Sequence, residues 1–540
     1  MLGSRSASLE RPSWLPAVAL STLLAAAMAV WDPHVRDLAA HVYRTELFER
    51  SGFSLWNASW YGGHYTLTHS VLFPPLAAVL GERLVGFASV VASTYLFDRL
   101  VQERWGERAR VATLWFGAGA VTMIASGRLS FALGVAFGLA SLRALQLERR
   151  WTAVAAALGC ALASPVAAAF LAGVVGVGAV ASSTRHLLTP LATVAVALAP
   201  IAALNLVFGD GGHEPFAFSA WIALPLWCAG ALYVTRGLES ERELRAVVLA
   251  YLIVGTLVWV FPNPLGGNAT RLGALFGGPV LAAVLLSRQV RILTPAVLAL
   301  LAGSLWWQVQ PAVRDVAESV GDASTTSAYY EPLAQWLNTN GGASARIEVP
   351  FTAEHWETAY LAPDFELARG WLRQLDRTRN GLFYDGRLTH RRYREWLQQN
   401  GIRFVALPDA RPDYSAKRER VLIESGPSYL HPVASLEHWR IYAVESPKPL
   451  LTGIGGARAR LVDLQPQAFT LRVTEPGRFI VRMRATPFWK VSAGSGCVGK
   501  DGRWTLVRAD RSGVVRVSIR FSLARAGRSA TGWHENCRTL

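Results

Sequence analysis

The sequence predicts an α-helical polytopic membrane domain followed by a water-soluble C-terminal part, made of a small α/β unit and a β-sandwich. Three observations carry this. The chain has 540 residues, of which 51% are hydrophobic and only 17% charged, whereas soluble chains carry about a quarter charged residues. Long apolar runs fill residues 14–309, and Arg, Asp and Glu become frequent after about 311. Two-residue alternation broken by turn signals then runs through 450–526, the pattern of half-buried antiparallel strands. The predicted domains are 1–310 (membrane body, with a first loop at 32–82), 320–448 (α/β) and 449–540 (β-sandwich).

A spanning helix needs about 20 apolar residues, and a short or tilted one about 17. Eleven segments are read as spans: roughly 14–31, 83–99, 110–126, 129–146, 151–163, 166–182, 187–208, 216–235, 245–261, 271–287 and 291–309, the fifth and sixth each short for a full crossing. The fifth and sixth are a run broken at Ser164-Pro165, where proline ends or kinks a helix. Charge favours counting them as two. With the N-terminus cytoplasmic, the inside loops become RLVQERWGERAR, LERRW, SSTRH, TRGLESERELR and SRQVR. The outside loops (SGR, FGDGGHEP, FPNPLGGNATR and 32–82) are poorer in Arg, as the positive-inside rule requires. This topology puts the C-terminal domain outside the cytoplasm of a plasma or inner membrane. Arg5 and Arg11 before the first apolar run resemble a signal peptide, but no small-residue cleavage site follows, so a retained helix is expected. The net charge of +16 comes almost wholly from Arg, with four Lys in the chain. No basic patch with interleaved aromatics suggests nucleic acid. Cys160 and Cys228 fall in spans, while Cys497 and Cys537 fall in the soluble part, where an oxidising compartment permits a disulfide.

The first loop is the chemical part of the sequence. It holds Asp32, His34, Asp37, His41, His64 and His69. If 35–50 is helical, Asp37, His41 and Arg44 share one face, with Val35, Leu38 and Val42 toward the other, as in a helix lying on a membrane. A carboxylate and His near the bilayer suit a partly desolvated general base. The following WNASWYGGHY, with Trp56, Trp60 and His64, is dense in aromatics that serve as interfacial anchors or stacking platforms for sugars. Six candidate metal ligands are present, yet their spacing matches no closed site.

The string RDLAAHVYRTELFERSGFSLWNASWYGGH with the later FPPL resembles the first extracytoplasmic loop of the GT-C glycosyltransferase superfamily. It is most similar to the YfhO-like and 6-pyruvoyl-tetrahydropterin-synthase-related membrane proteins, through Asp37, His41, Arg44, Trp56, Trp60, Gly62, Gly63, Pro74, Pro75 and Leu76. The resemblance implies sugar transfer from a polyprenyl-phosphate donor to a glycan or other envelope acceptor. It implies that an acid of this loop is the base, Asp37 first and Asp32 second, with His41 orienting. The adjacent acidic pair of many members is missing here, so neither the choice of base nor a divalent-cation cofactor follows from the resemblance.

A phosphate leaving group needs cations, and Arg offers a bidentate fork. The informative Arg residues are those in outside loops, Arg128 in SGRLSF and Arg271 in GGNATR. The Gly-Gly-Asn268 turn before Arg271 can bring backbone N–H groups to an anion, and the resemblance favours Arg271 as the phosphate ligand. In 320–448, ARIEVPF and IRFVALP read as strands, and HRRYREWLQQNG as a helix stopped at Asn400-Gly401. Two other functions fit the same layout: a flippase or transporter for a lipid-linked sugar, and a non-catalytic envelope-assembly protein. Against ion-coupled transport, the span interiors lack Asp, Glu and Lys, Asp98 near the end of 83–99 apart.

Overall fold

The computed structural model describes residues 14–182, 187–290, 294–531 and 537. Arg5 and Arg11 lie outside these residues, as do Arg185 and Arg291 of the Arg-rich loops.

The membrane body consists of helices α1 (Leu15–Trp31), α2 (Arg36–Ser51), α3 (Phe73–Leu80), α4 (Glu82–Trp105), α5 (Arg110–Ala120), α6 (Leu129–Gln146), α7 (Arg150–Ala163), α8 (Pro165–Ala181), α9 (Leu188–Phe208), α10 (Ala223–Val234), α11 (Arg242–Val260), α12 (Arg271–Ser287) and α13 (Pro295–Ser319). Its core is lined by Ala and Phe from α4 to α9 and α12, because small side chains let helices approach closely without a hydrophobic drive from lipid. Ser164 separates α7 from α8 in an extended conformation and caps α8 by accepting the Ala167 N–H, so the broken run forms two helices. Among the described residues, six helices are long and apolar enough to cross a membrane, or seven if α1 and α2, bent by 77°, are one span. The helices Arg150–Ala163, Pro165–Ala181 and Phe218–Val234 are apolar but shorter. An eleven-span body therefore requires short helices to cross, at the lower limit of what a bilayer accepts.

The soluble part begins where α13 ends, ten residues beyond the expected stop at 309. A five-stranded sheet is built from β3 (Arg346–Glu348), β4 (Glu366–Leu367), β5 (Ile402–Pro408), β6 (Leu430–Ser435) and β7 (Trp439–Val444), in the order β4-β3-β5-β7-β6; β1 and β2 belong to the first loop. β3 pairs in parallel with β4 and β5, and β7 runs antiparallel. Two four-stranded antiparallel sheets follow, β12-β15-β10-β9 and β13-β14-β11-β8. They are formed by β8 (Leu451–Ile454), β9 (Arg458–Gln465), β10 (Ala468–Glu475), β11 (Gly477–Arg484), β12 (Trp489–Ala493), β13 (Gly496–Asp501), β14 (Trp504–Ala509) and β15 (Gly513–Ile519). Phe469, Leu471, Phe479, Val481, Val507 and Val517 fill the space between them. Cys497 on β13 is bridged to Cys537, with Cα atoms 6.1 Å apart.

The first loop packs into the soluble units. Ala39, Tyr43 and Leu47 of α2, with Trp60 and Tyr61, share one hydrophobic core with Tyr330, Ile347, Trp356 and Trp439 of the α/β unit. Trp56, Ala58 and Tyr65 belong to the core of the β-sandwich. The loop forms the short hairpin β1 (Trp56–Asn57) and β2 (His64–Tyr65) and extends the five-stranded sheet. Leu367 N–H donates to the Ser59 carbonyl (2.8 Å), and Tyr61 N–H donates to that of Leu367 (3.1 Å). Its tip turns at Tyr61, Gly62 and Gly63, with φ of 62°, 69° and 130°. At Gly63 only glycine is free to adopt this backbone, and an added Cβ would overlap the Trp56 indole.

Gly63→Ala is therefore expected to lower the thermal midpoint of the detergent-solubilised chain by several degrees. Gly52→Ala, with φ of 63°, ψ of −150° and nothing within 4 Å of a new Cβ, carries only the strain of a backbone region open essentially to glycine, about 1–3 kcal/mol, and is expected to lower it less. Equal shifts for the two variants would contradict the packing described for the loop tip.

Candidate functional site

Three separate segments meet at one end of the helical body. The first turn of α2 brings Asp37, the only acid of that turn, to a helix N-terminus, where negative charge is favoured. The second is the turn before α6. Gly127 (φ 66°) lies so close to α2 that a Cβ would overlap the Leu38 backbone nitrogen, and this places Arg128 beside Asp37. Arg128 Nε is 3.5 Å from Asp37 Oδ2, and Arg128 Nη2 is 3.7 Å from Asp315 on α13. The third is the start of α12, where Arg271 Nη2 lies 3.9 Å from Asp37 Oδ2 and the guanidinium sits over the Phe131 ring at 5.3 Å. The Tyr251 hydroxyl fixes this turn. It donates to the Ala269 carbonyl (2.9 Å) and accepts from the Gly273 N–H (3.2 Å). The four charged side chains are 20–26% exposed, screened but reachable. Arg128 Nε is buried and makes no hydrogen bond.

Glu214 closes the cluster from the side. Its N–H donates to the Asn263 carbonyl (3.0 Å), and Gly267 N–H donates to Pro215 (3.2 Å), so the 209–217 loop is tied to the turn that carries Arg271. Burial pushes the Glu214 carboxyl up to about 7; Arg373 opposes this, and Asp37 reinforces it. His41 and Arg44 occupy the buried side of α2. His41 is in ring contact with Phe73 (4.7 Å) and His69 (5.9 Å). Burial lowers it to about 3, helped by Arg44 and Arg271, so the imidazole is neutral. Arg44 is 8% exposed, with one terminal nitrogen unpaired.

Behind Arg271 opens an apolar groove of about 390 Å³ between α4, α6, α8, α10, α11 and α12. Leu272 and Gly273, the residues after Arg271, line one end; Phe97, Leu139, Leu171 and Phe276 form walls. A charged site at the mouth of a greasy slot suits an amphiphile with an anionic head.

Several sequence expectations take a different form. Asp32 stands apart from the two arginines. It accepts from Arg83 and lies 3.1 Å from His34 Nε2. Trp56, Trp60 and His64 are 2%, 0% and 2% exposed. They are enclosed between the loop and the soluble sheets, leaving no ring face for a sugar, and the aromatic run joins the cores of the two soluble units. The Gly-Gly-Asn268 turn spends its N–H groups internally. Leu265 and Gly266 donate to the Asn263 side chain, and Asn268 donates to Leu265. Among the described residues no group of three or more His, Cys, Asp or Glu can hold a metal ion. Asp37 and Asp315 already face Arg128, so this donor set does not fit a divalent cation. Glu214 and Asp315 belong to the cluster although neither sits in a recognisable sequence motif. Glu214 lies in an Arg-poor loop on the same side as 32–82, which was the available signal.

No protein-family model matches the chain, and no curated protein matches it. Among solved structures it is similar to one described as the single-particle cryo-EM structure of the arabinofuranosyltransferase AftD from Mycobacteria. The TM-score is 0.48 and the identity 15%, covering 96% of this chain and 58% of that one. The chain thus spans a little over half of that neighbour's length, a likeness too distant to speak to activity.

The raised Glu214 carboxyl has a measurable consequence. Its folded value, about 7, exceeds the ordinary 4.5, so the folded state binds more protons between these values, and stability falls as pH rises through 7. The thermal midpoint is expected to drop between pH 6 and pH 8, and Glu214→Gln to reduce that drop. An unchanged pH profile in the variant would contradict the burial of this carboxyl.

Proposed function

We propose that the chain is a membrane glycosyltransferase that moves a sugar from a polyprenyl-phosphate donor to a hydroxyl of a cell-envelope acceptor, with inversion. One observation carries the reading: Asp37 stands beside Arg128 and Arg271, and Leu272, the residue after Arg271, lines one end of an apolar groove. The prenyl tail enters the groove, and the phosphate meets the two guanidiniums. Asp37 takes the proton of the acceptor hydroxyl as its oxygen bonds to the anomeric carbon. The bond from that carbon to the phosphate oxygen breaks on the opposite face, and polyprenyl phosphate leaves with its charge held by Arg271 and Arg128. Fixed cations placed where charge develops are usually the largest catalytic contribution. Neutral His41, near Arg271, positions the acceptor or the base without adding charge.

The orientation follows from charge. Arg-rich loops placed in the cytoplasm put the site and both soluble units outside. The Cys497–Cys537 bridge suits an oxidising compartment. A flippase would need two access states. The first loop, built into the soluble core, favours a fixed chamber instead.

Transfer is measured as release of free polyprenyl phosphate by the purified chain. Asp37→Asn is expected to lower the rate by about 10²–10⁴-fold, the range for a general base, with donor binding kept. Arg271→Ala is expected to lower it by about 10²–10³-fold and to weaken donor binding. Full activity in a folded Asp37→Asn variant overturns this role for Asp37, and loss in Asp32→Asn alone moves the base to Asp32.

A further inference from the structure

The apolar groove has a charged floor. At the end opposite Arg271 it is lined by Arg104, Trp105, Gln146 and Glu243. Arg104 and Trp105 are tied to Glu241, which is fully buried. Arg288 donates to its Oε1 from Nε (2.9 Å) and Nη2 (2.7 Å), Trp105 Nε1 donates to the same oxygen (3.2 Å), and Arg104 Nη2 lies 3.7 Å from Oε2. Arg104 also donates to Glu243 at 3.0 Å. Removing a partner from a buried carboxylate is strongly unfavourable, and hydrocarbon entering this floor would desolvate charges without replacing their partners. The floor is therefore a stop.

The distance from mouth to floor is set by the helices. On α6 the lining runs from Gly134 to Gln146, about 18 Å at 1.5 Å per residue and well short of the roughly 30 Å hydrocarbon core. An extended chain advances about 1.2 Å per bond, so the groove takes about fifteen bonds, or about four isoprene units. We propose that this groove is a length gauge. It seats about the first four isoprene units of a prenyl phosphate whose head lies at Arg271, and the ion-paired floor around Glu241 ends the recognised segment. This rests on the prenyl-phosphate reading of the site.

Gly178 provides the test. It lines the groove near the floor, and a Cβ there meets nothing within 4 Å, so Gly178→Leu shortens the slot without a backbone clash. Gly173 on the same helix is exposed, lies off the groove and has equally open surroundings, which makes Gly173→Leu the control. The probes are synthetic polyprenyl monophosphates of two, four, six and ten isoprene units, titrated onto the full-length protein in detergent and followed by native mass spectrometry. Wild-type affinity is expected to rise at least tenfold from two to four units and less than twofold beyond. Gly178→Leu should weaken the four-unit probe at least fivefold, leave the two-unit probe unchanged, and differ in this from Gly173→Leu. Affinity that keeps climbing to ten units, or a Gly178→Leu effect equal at every length, overturns the gauge while leaving the donor site standing. Failure of all four probes to bind, or binding indifferent to Arg271→Ala, overturns the donor reading itself.

Discussion

The arrangement depends on the insertion of the first loop into the cores of both soluble units. Arg346 shows how tight this is. It is 1% exposed and donates to the Asn400 carbonyl (2.7 Å), to Glu366 (3.0 Å) and to the Arg482 carbonyl of the β-sandwich (2.6 Å). Gly62 sits so close that a Cβ would collide with its guanidinium. Arg379 adds a second tie, donating to the Gly63 carbonyl (2.5 Å) and to Asp210 (2.6 Å), while Asp210 also accepts the Tyr65 N–H (2.6 Å). One loop is thus held by the helical body, the five-stranded sheet and the sandwich together. Removing a buried indole such as Trp60 costs about 3–5 kcal/mol, a large fraction of the stability of any domain.

That insertion also fixes the charged cluster. The first turn of α2 carries Asp37, and the rest of the helix is clamped by Tyr43 and Leu47 in the soluble core. Asp37 is therefore held on a rigid element between cations supplied by two other helices. Glu214 feels Arg271 from the membrane body and Arg373 and Arg377 from the soluble unit, so the chamber has walls from both. A site assembled in this way positions groups at little reorganisation cost, the condition under which fixed charges act most strongly.

Much of the layout is legible in the sequence, for a physical reason. Apolar runs and period-two alternation are local signals: helices cover most of the described residues of the eleven runs, and strands cover most of 450–526, ending at Ile519 before a helix at Leu523–Thr531. The 35–50 segment, whose helical form would put Asp37, His41 and Arg44 on one face, is helix α2. What the sequence does not disclose is which side of that helix meets protein. An aromatic, glycine-rich run is equally compatible with an exposed platform and a buried joint, and the partners of Trp60 and Tyr61 lie some 300 residues away. Asp315 escaped notice because α13 continues past the apolar run to Ser319, and Glu214 because only tertiary pairing with the 263–267 turn brings it to Arg271.

The most direct test of the account is a cryo-EM map of the full-length chain with a polyprenyl-phospho-sugar bound. The account places the phosphate between Arg128 and Arg271, the tail in the groove behind Leu272 and the sugar against Asp37. Phosphate density elsewhere, at Arg44 or at the Arg104–Glu241 floor, with the Arg128–Asp37–Arg271 cluster unchanged, would contradict it.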